Sequence, residues 1–170
     1  MDVFEAMRTK RAVRNFNEEP LPESTVEKIL NAGRRSQSSK NSQPWSFIAI
    51  QDKDTLQKLS ELGTWAGHIA NAALAVAIVS PDFTQKFSIA FDLGQAAAFM
   101  QLAAWELGIG SCLATIYETE KARQLLGFPE DQQLHVAISF GYPLDTSVLS
   151  AAPEKGGRKP FNQVVHWNHW

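Results

Sequence analysis

The sequence predicts one domain of the α/β or α+β class, with helices covering a sheet. Three observations carry this. Short apolar runs such as Ala73–Val79 and Leu134–Phe140 alternate with stretches whose apolar residues recur at helical spacing. The segment from Ser88 to Leu107 is alanine-rich and long enough for a central helix. No repeat, low-complexity tract or linker divides the 170 residues, a length that buries a proper core in one unit, residues 1–170.

The elements follow in order. Residues 2–9 read as a short helix. Pro22 and Ser24 open a second, with Val26, Ile29, Leu30 and Gly33 on one face. Arg34 and Arg35 lie at its C-terminal end, where cations suit the helix dipole. Phe47 to Gln51 reads as a strand. Asp54 is the expected cap of a helix carrying Leu56, Leu59 and Leu62. Ala73–Val79, closed by Ser80-Pro81, reads as a buried strand. The long helix from Ser88 ends at Gly108 or Gly110. Leu113 to Ile116 is the next strand. Thr119 starts a helix through Leu126, with Gly127 as its stop, and Leu134 to Phe140 is the last strand. Pro143 to Pro160 reads as loop, and Phe161 to Trp167 as a final extended arm. The aromatic ending His166-Trp167-Asn168-His169-Trp170 is too apolar for a free tail and predicts packing, with a second subunit as one partner.

Composition excludes several classes. A net charge of −2 argues against general nucleic-acid binding, so the basic residues near the N-terminus have a local purpose. Cys112 is the single cysteine and forms no intrachain disulfide; its apolar context reads as a buried thiol. Met1-Asp2-Val3-Phe4-Glu5 lacks the basic and apolar regions of a signal peptide, so the cytoplasm is the expected location. Asp92, Gln95, Gln101 and Glu106 interrupt the long helix, which argues against membrane insertion.

Two clusters point to a ligand. Ser38-Ser39-Lys40-Asn41-Ser42-Gln43-Pro44-Trp45 offers hydroxyl and amide groups without a carboxylate, which suits a neutral, planar, polar ligand better than a metal. Arg8-Thr9-Lys10-Arg11-Ala12-Val13-Arg14 is built for an anion: guanidinium groups three residues apart share a face and grip phosphate with paired bonds. A solvated basic surface paired with Glu5, Glu18 or Glu19 is the competing reading. Together the clusters describe a ligand with a phosphate at one end and a hydrogen-bonding ring at the other. Gly156-Gly157-Arg158-Lys159-Pro160 is a basic turn that either adds Arg158 to this anion site or stays at the surface.

Other chemistries lack their motifs. Gly108-Ile109-Gly110-Ser111-Cys112 follows a helix rather than a strand and has Leu at position 113, so it is no dinucleotide fingerprint. His166 and His169 are three apart without carboxylate or cysteine partners, and His68 and His135 are isolated, so no metal is expected. No Gly-x-Ser-x-Gly elbow and no acid/base pair of carboxylates occurs.

In this order and spacing the pieces resemble the FMN-dependent nitroreductase family, across almost the whole chain. Lys10-Arg11-Ala12-Val13-Arg14-Asn15-Phe16 is similar to that family's opening basic motif, and the Ser38–Trp45 loop to its most recognisable one. Asp92-Leu93-Gly94-Gln95-Ala96 through Glu106–Cys112 resembles its central helix and following strand. Gly141-Tyr142-Pro143, Arg158-Lys159-Pro160 and Val164-Val165-His166-Trp167 resemble its closing elements. Ala12 stands where the family often has Ser, and Trp65 and His68 stand where larger members offer an Asn and a basic residue.

The resemblance implies an α+β fold: a central mixed, mostly antiparallel sheet flanked by helices, a long central helix used for dimerisation, and a C-terminal arm exchanged with the partner. It implies a homodimer with FMN at the interface. Lys10, Arg11, Arg14 and Arg158 would hold the phosphate and ribityl chain, with Ala12 beside the pyrimidine edge. Ser38, Ser39 and Asn41, offered by the partner subunit, would line the flavin. The backbone of Leu113, Ala114 and Thr115 would face the ring. The implied activity is oxidation of NADH or NADPH and reduction of a nitroaromatic, a quinone or another electron-poor ring by ping-pong kinetics, with no catalytic acid or base assigned. The chain is short for the family, and a covering insertion is missing. That keeps a second reading open: a flavin-binding protein for storage, sensing or delivery, without steady turnover.

Overall fold

The computed structural model describes residues 2–84, 86–150 and 157–170. Part of the expected Pro143–Pro160 loop, including Gly156, lies outside them. Four strands form one antiparallel sheet in the order β1-β2-β4-β3: β1 (Ser46–Ile50), β2 (Leu74–Ser80), β3 (Gly110–Thr115) and β4 (Gln133–Gly141). Where a mixed sheet is expected, the strands are all antiparallel. The parallel pairing among the described residues is one bridge, Ala12 to Ser111.

β2 is central and all seven of its residues are buried, which is why it reads as an unbroken apolar run rather than an alternating one. One face of the sheet, with Leu74, Val76, Ile78, Ile138 and Phe140, packs on α2 (Glu23–Arg34) and α4 (Phe87–Glu106). The other, with Ala75, Ala77, Val79, Ala114 and Ala137, packs on α3 (Lys53–Ser60) and α5 (Thr119–Leu126). Each fully buried Leu or Ile, such as Leu59 or Ile29, contributes about 1.5–3 kcal/mol of apolar burial.

Helix ends follow local chemistry. α1 (Val3–Thr9) starts where Asp2 accepts from Glu5 N at 2.8 Å. α3 is capped by Asp52 rather than by the expected Asp54. The Asp52 carboxylate accepts from Thr55 N at 2.8 Å and from the Thr55 hydroxyl at 2.6 Å, so the helix starts at Lys53. α2 begins at Glu23 behind Pro22, a residue earlier than the Ser24 start would give. α4 ends at Gly108, whose φ is +75°. Gly108 N donates to Trp105 O at 3.0 Å and Ile109 N to Ala104 O at 2.9 Å, a left-handed helix stop that glycine makes without strain.

Gly110 is not a stop. It begins β3, which therefore starts three residues before the expected Leu113: Gly110 and Ser111 pair with Gly141 and Phe140. The reason is packing. A Cβ on Gly110 would lie 2.6 Å from Val13 Cβ, and one on Gly141 would lie 2.9 Å from the Phe16 ring. The two cross-strand glycines thus leave a bare strip into which Val13 and Phe16 insert. The expected C-terminal arm opens with a short helix, α6 (Phe161–Val164), before the chain extends at Val165, so the extended reading holds only for its later part.

Candidate cofactor-binding site

β3 is an edge strand, so half of its main-chain groups lack a sheet partner. Ile116 N donates to His135 O at 2.9 Å, which fixes the alternation of the antiparallel ladder. Cys112 and Ala114 turn their main-chain groups to β4, whereas Ser111, Leu113 and Thr115 turn theirs outward. Two of these outward positions are taken up. Val13 N donates to Ser111 O at 3.0 Å. The Leu62–Gly63 turn covers the far end, where a Cβ on Gly63 would lie 2.1 Å from Thr115 O. The Leu113 carbonyl accepts from Cys112 Sγ at 3.5 Å and faces His68, so what stays open among the described residues is a short gap exposing Leu113 N–H and Thr115 N–H. The expected three-residue backbone site therefore narrows to Leu113 and Thr115; Ala114 is buried with its amide in the ladder.

The basic segment lies beside this gap. With Val13 and Phe16 held in the glycine strip, Ala12 and Arg14 are left exposed on the outer side. Lys10 is half-buried, and its Nζ donates to Gln101 Oε1 of α4 at 2.6 Å. Burial pushes the Lys10 ammonium below its ordinary range, opposed by its attraction to Cys112. Burial pushes the Cys112 thiol up, while Arg14 and then Lys10 pull it down. Both cations therefore act on the middle of β3, as an anion site at its edge requires. Arg11 is half-buried, with Nε donating to Thr9 O at 3.4 Å.

Behind Arg14 lies a polar group that the sequence did not single out as a unit. His68 Nδ1 meets Ser139 Oγ at 2.7 Å, and Ser139 Oγ donates to Cys112 O at 3.3 Å. His68 Nε2, Ser111 Oγ and Gln101 Nε2 are buried without a hydrogen-bond partner. Burial lowers the His68 pKa most, the Arg14 charge lowers it further, and the Leu113 carbonyl opposes both. These unpartnered atoms lie on both faces of the sheet, His68 on the α3 and α5 side and Gln101 on the α4 side, and each is a place where water or a polar ligand completes the bonding. On the helix side, a cavity of about 450 Å³ runs between α4 and the sheet, lined by Leu93, Ala97, Ile78, Leu113 and Thr115, with Phe83 and His135 beyond. Leu113, 49% exposed, borders both the cavity and the open edge.

The polar loop is elsewhere. Ser39–Asn41 form one 3-10 turn, with Lys40, Asn41 and Gln43 at φ of +54°, +53° and +47°. Ser39 N donates to Asp92 of α4, whereas Lys10 bonds Gln101 of the same helix. Nine residues of helix separate the two anchors by about 14 Å. One chain thus holds the loop and the basic segment at different stations along α4. Arg158 is exposed, with Nη1 donating to Gly157 O at 3.4 Å, and no hydrogen bond ties it to Lys10–Arg14 among the described residues. Trp65, too, is exposed, whereas His68 is buried. No cluster of metal-ligating side chains occurs among the described residues, and no helix there is long and apolar enough to cross a membrane.

The sequence reading named Asp92 and Gln101 as interruptions of the long helix and Gly110 as a possible stop, and gave none of them a part in building the site. Their signal was present: two polar residues on the buried side of an apolar helix, and a glycine just after a helix stop.

The comparisons agree with this architecture. The model of the nitroreductase family matches residues 7–87 and 65–142. A relative in Archaeoglobus fulgidus, provisionally named an NADH dehydrogenase/NAD(P)H nitroreductase, is 33% identical over 95% of both chains. The solved FMN-dependent nitroreductase of Clostridium difficile superposes with a TM-score of 0.84 at 27% identity, covering 99% of this chain and 100% of its own. The NADPH:FMN oxidoreductase of Vibrio harveyi, solved with NAD+, shares the fold at a TM-score of 0.86 and 23% identity, over 98% of this chain and 77% of its own. An edge strand with open amides, flanked by cations and set in this fold, belongs to a chain of the nitroreductase family.

Proposed function

We propose that the protein is an FMN-dependent oxidoreductase that takes reducing equivalents from NADH or NADPH and passes them to an electron-poor acceptor, a nitroaromatic or a quinone, in ping-pong fashion. The observation that carries this reading is the gap on β3, where Leu113 N–H and Thr115 N–H are unpaired between Lys10 and Arg14 on one side and an apolar cavity on the other. That donor set fits FMN: cations for a phosphate, main-chain N–H groups for ring acceptors, and apolar walls for a flat ring. The chemistry FMN supplies when bound is acceptance of a hydride from NAD(P)H and its transfer onward to the acceptor. The chain contributes binding and orientation. Lys10, Arg11 and Arg14 hold the phosphate end, with Arg158 as a further cation. Leu113 N–H and Thr115 N–H would donate to the ring from the strand edge. Their N–H dipoles would favour negative charge on the ring.

Because the loop and the basic segment sit about 14 Å apart along one helix, we infer a homodimer in which Ser38, Ser39 and Asn41 of one copy complete the site of the other. A flavin spectrum in protein purified without added cofactor, bleaching on anaerobic addition of NADH or NADPH, is the expected outcome. Flavin that binds without bleaching favours a carrier; no flavin, even after reconstitution, overturns the reading. Arg14→Ala removes a charge-assisted contact and is expected to weaken FMN binding by about ten- to a hundredfold in a fluorescence titration.

A further inference from the structure

Asp92 is a buried carboxylate, 4% exposed, in the middle of an apolar helix. Taking such a charge out of water is costly without compensating bonds. Its compensation among the described residues is one main-chain group: Ser39 N lies 3.1 Å from Oδ1 and 3.1 Å from Oδ2. The bonds inside the loop are of another kind. Asn41 N donates to Ser38 O at 3.0 Å, Ser42 N to Ser39 O at 3.0 Å and Gln43 N to Ser38 Oγ at 2.9 Å. They shape the loop without fastening it to the domain. Three non-glycine residues in left-handed conformations make this shape one the chain would not hold unaided. The downstream end is secured by Trp45 and Phe47, whose rings stack 6.3 Å apart and pack on the core. The tip is secured at Asp92.

We propose that Asp92 is the positioning residue for the polar loop: its carboxylate fixes Ser39 on the central helix so that Ser38, Ser39 and Asn41 stand preorganised for the cofactor. The inference rests on the reading that this loop lines FMN. It gives α4 a second task. The helix carries Asp92 for the loop and Gln101 for Lys10, so it sets the spacing between the half-site the chain offers its partner and the half-site it keeps. A carboxylate suits the role because both oxygens share one N–H, which leaves a bond under small shifts of the loop.

The test uses the full-length apo protein, with FMN affinity read by fluorescence and amide exchange at Ser39 read without FMN. Asp92→Ala is expected to weaken FMN about ten- to a hundredfold and to speed Ser39 exchange, with helix content and solution mass unchanged. Asp92→Asn keeps one acceptor oxygen and is expected to fall between. Ser39→Pro deletes the donor; Ser38 is already extended (φ −146°, ψ 153°), as the residue before a proline must be. In that background Asp92→Asn is expected to have no further effect on affinity, since the pair is already broken. Affinity within twofold of wild type in a folded Asp92→Ala overturns the proposal, as does full additivity in the Ser39→Pro background. If Asp92→Ala does not fold, the Asp92→Asn and Ser39→Pro cycle decides alone. Wild-type protein that takes up no FMN overturns the function reading instead, and is told apart because the Ser39 exchange difference persists.

Discussion

His68 shows how one side chain ties stability to the site. It is held neutral by burial and by the Arg14 charge, so its folded pKa lies below the ordinary 6.5. As pH falls below about 6.5 the unfolded chain binds the proton first. The stability that neutral His68 provides is therefore complete above that pH and is lost on acidification toward the lower folded value. Melting temperatures of wild type between about pH 5 and 8 should drop on the acid side, and His68→Asn should flatten part of that drop. Equal slopes in the two proteins would remove His68 from the account. The sequence marked His68 only by resemblance, as standing where larger members offer a basic residue; its pairing was not legible, since Ser139 and Arg14 are 71 and 54 positions away and meet only once the sheet and the N-terminal segment are in place. The cations themselves were legible, because Lys10, Arg11 and Arg14 crowd five positions in an otherwise balanced chain.

At the scale of elements, the strip formed by Gly110 and Gly141 decides where the basic segment lies. Gly110→Ala places a methyl group against the β-branched Val13, whose Cβ and both methyls lie within 2.6–2.9 Å and have no free torsion to retreat into. Overpacking of this kind costs about 1–3 kcal/mol, so the melting temperature should fall by about 2–10 °C. FMN affinity should fall with it, because Lys10 and Arg14 move when Val13 does. A variant with wild-type stability would show that the segment is not seated in the strip. The elements were legible from period where one face is polar, as in α2 and α3, and from run length where both faces are buried, as in β2 and α4. The misplaced details were those that local pattern cannot settle. Asp52 and Asp54 are both reasonable caps, and only the bond to Thr55 chooses between them. Gly108 and Gly110 are both reasonable stops, and only the Val13 contact shows that one belongs to a strand.

The described residues leave several large apolar side chains in water, and apolar patches of that kind mark interaction surfaces. Phe87 and Phe91 pack edge to face at 5.1 Å on the outer side of α4 yet stay exposed, and Phe99 extends that side toward the C-terminal end of the helix. Phe4, Phe161, Trp167 and Trp170 add to the exposed apolar set, with Trp170 97% exposed and stacked on its neighbour His166 at 4.2 Å. The core is complete without these residues, so packing within one chain does not explain them. A second copy does. It would cover the aromatic side of α4, give the C-terminal segment a surface to wrap, and bring the Ser38–Asn41 loop of one copy to the β3 edge of the other. Light scattering should give twice the 18.9 kDa chain mass. Phe91→Lys puts a charge in the middle of that surface; loss of one aromatic anchor at an interface costs about 2 kcal/mol or more, roughly a thirtyfold shift toward monomer. FMN affinity should fall in the same titration, because each site would lose its second half as the copies part. A Phe91→Lys monomer that keeps full FMN affinity would mean that Lys10, Arg14 and the open edge of β3 suffice for binding. The loop held by Asp92 would then serve the acceptor rather than the cofactor.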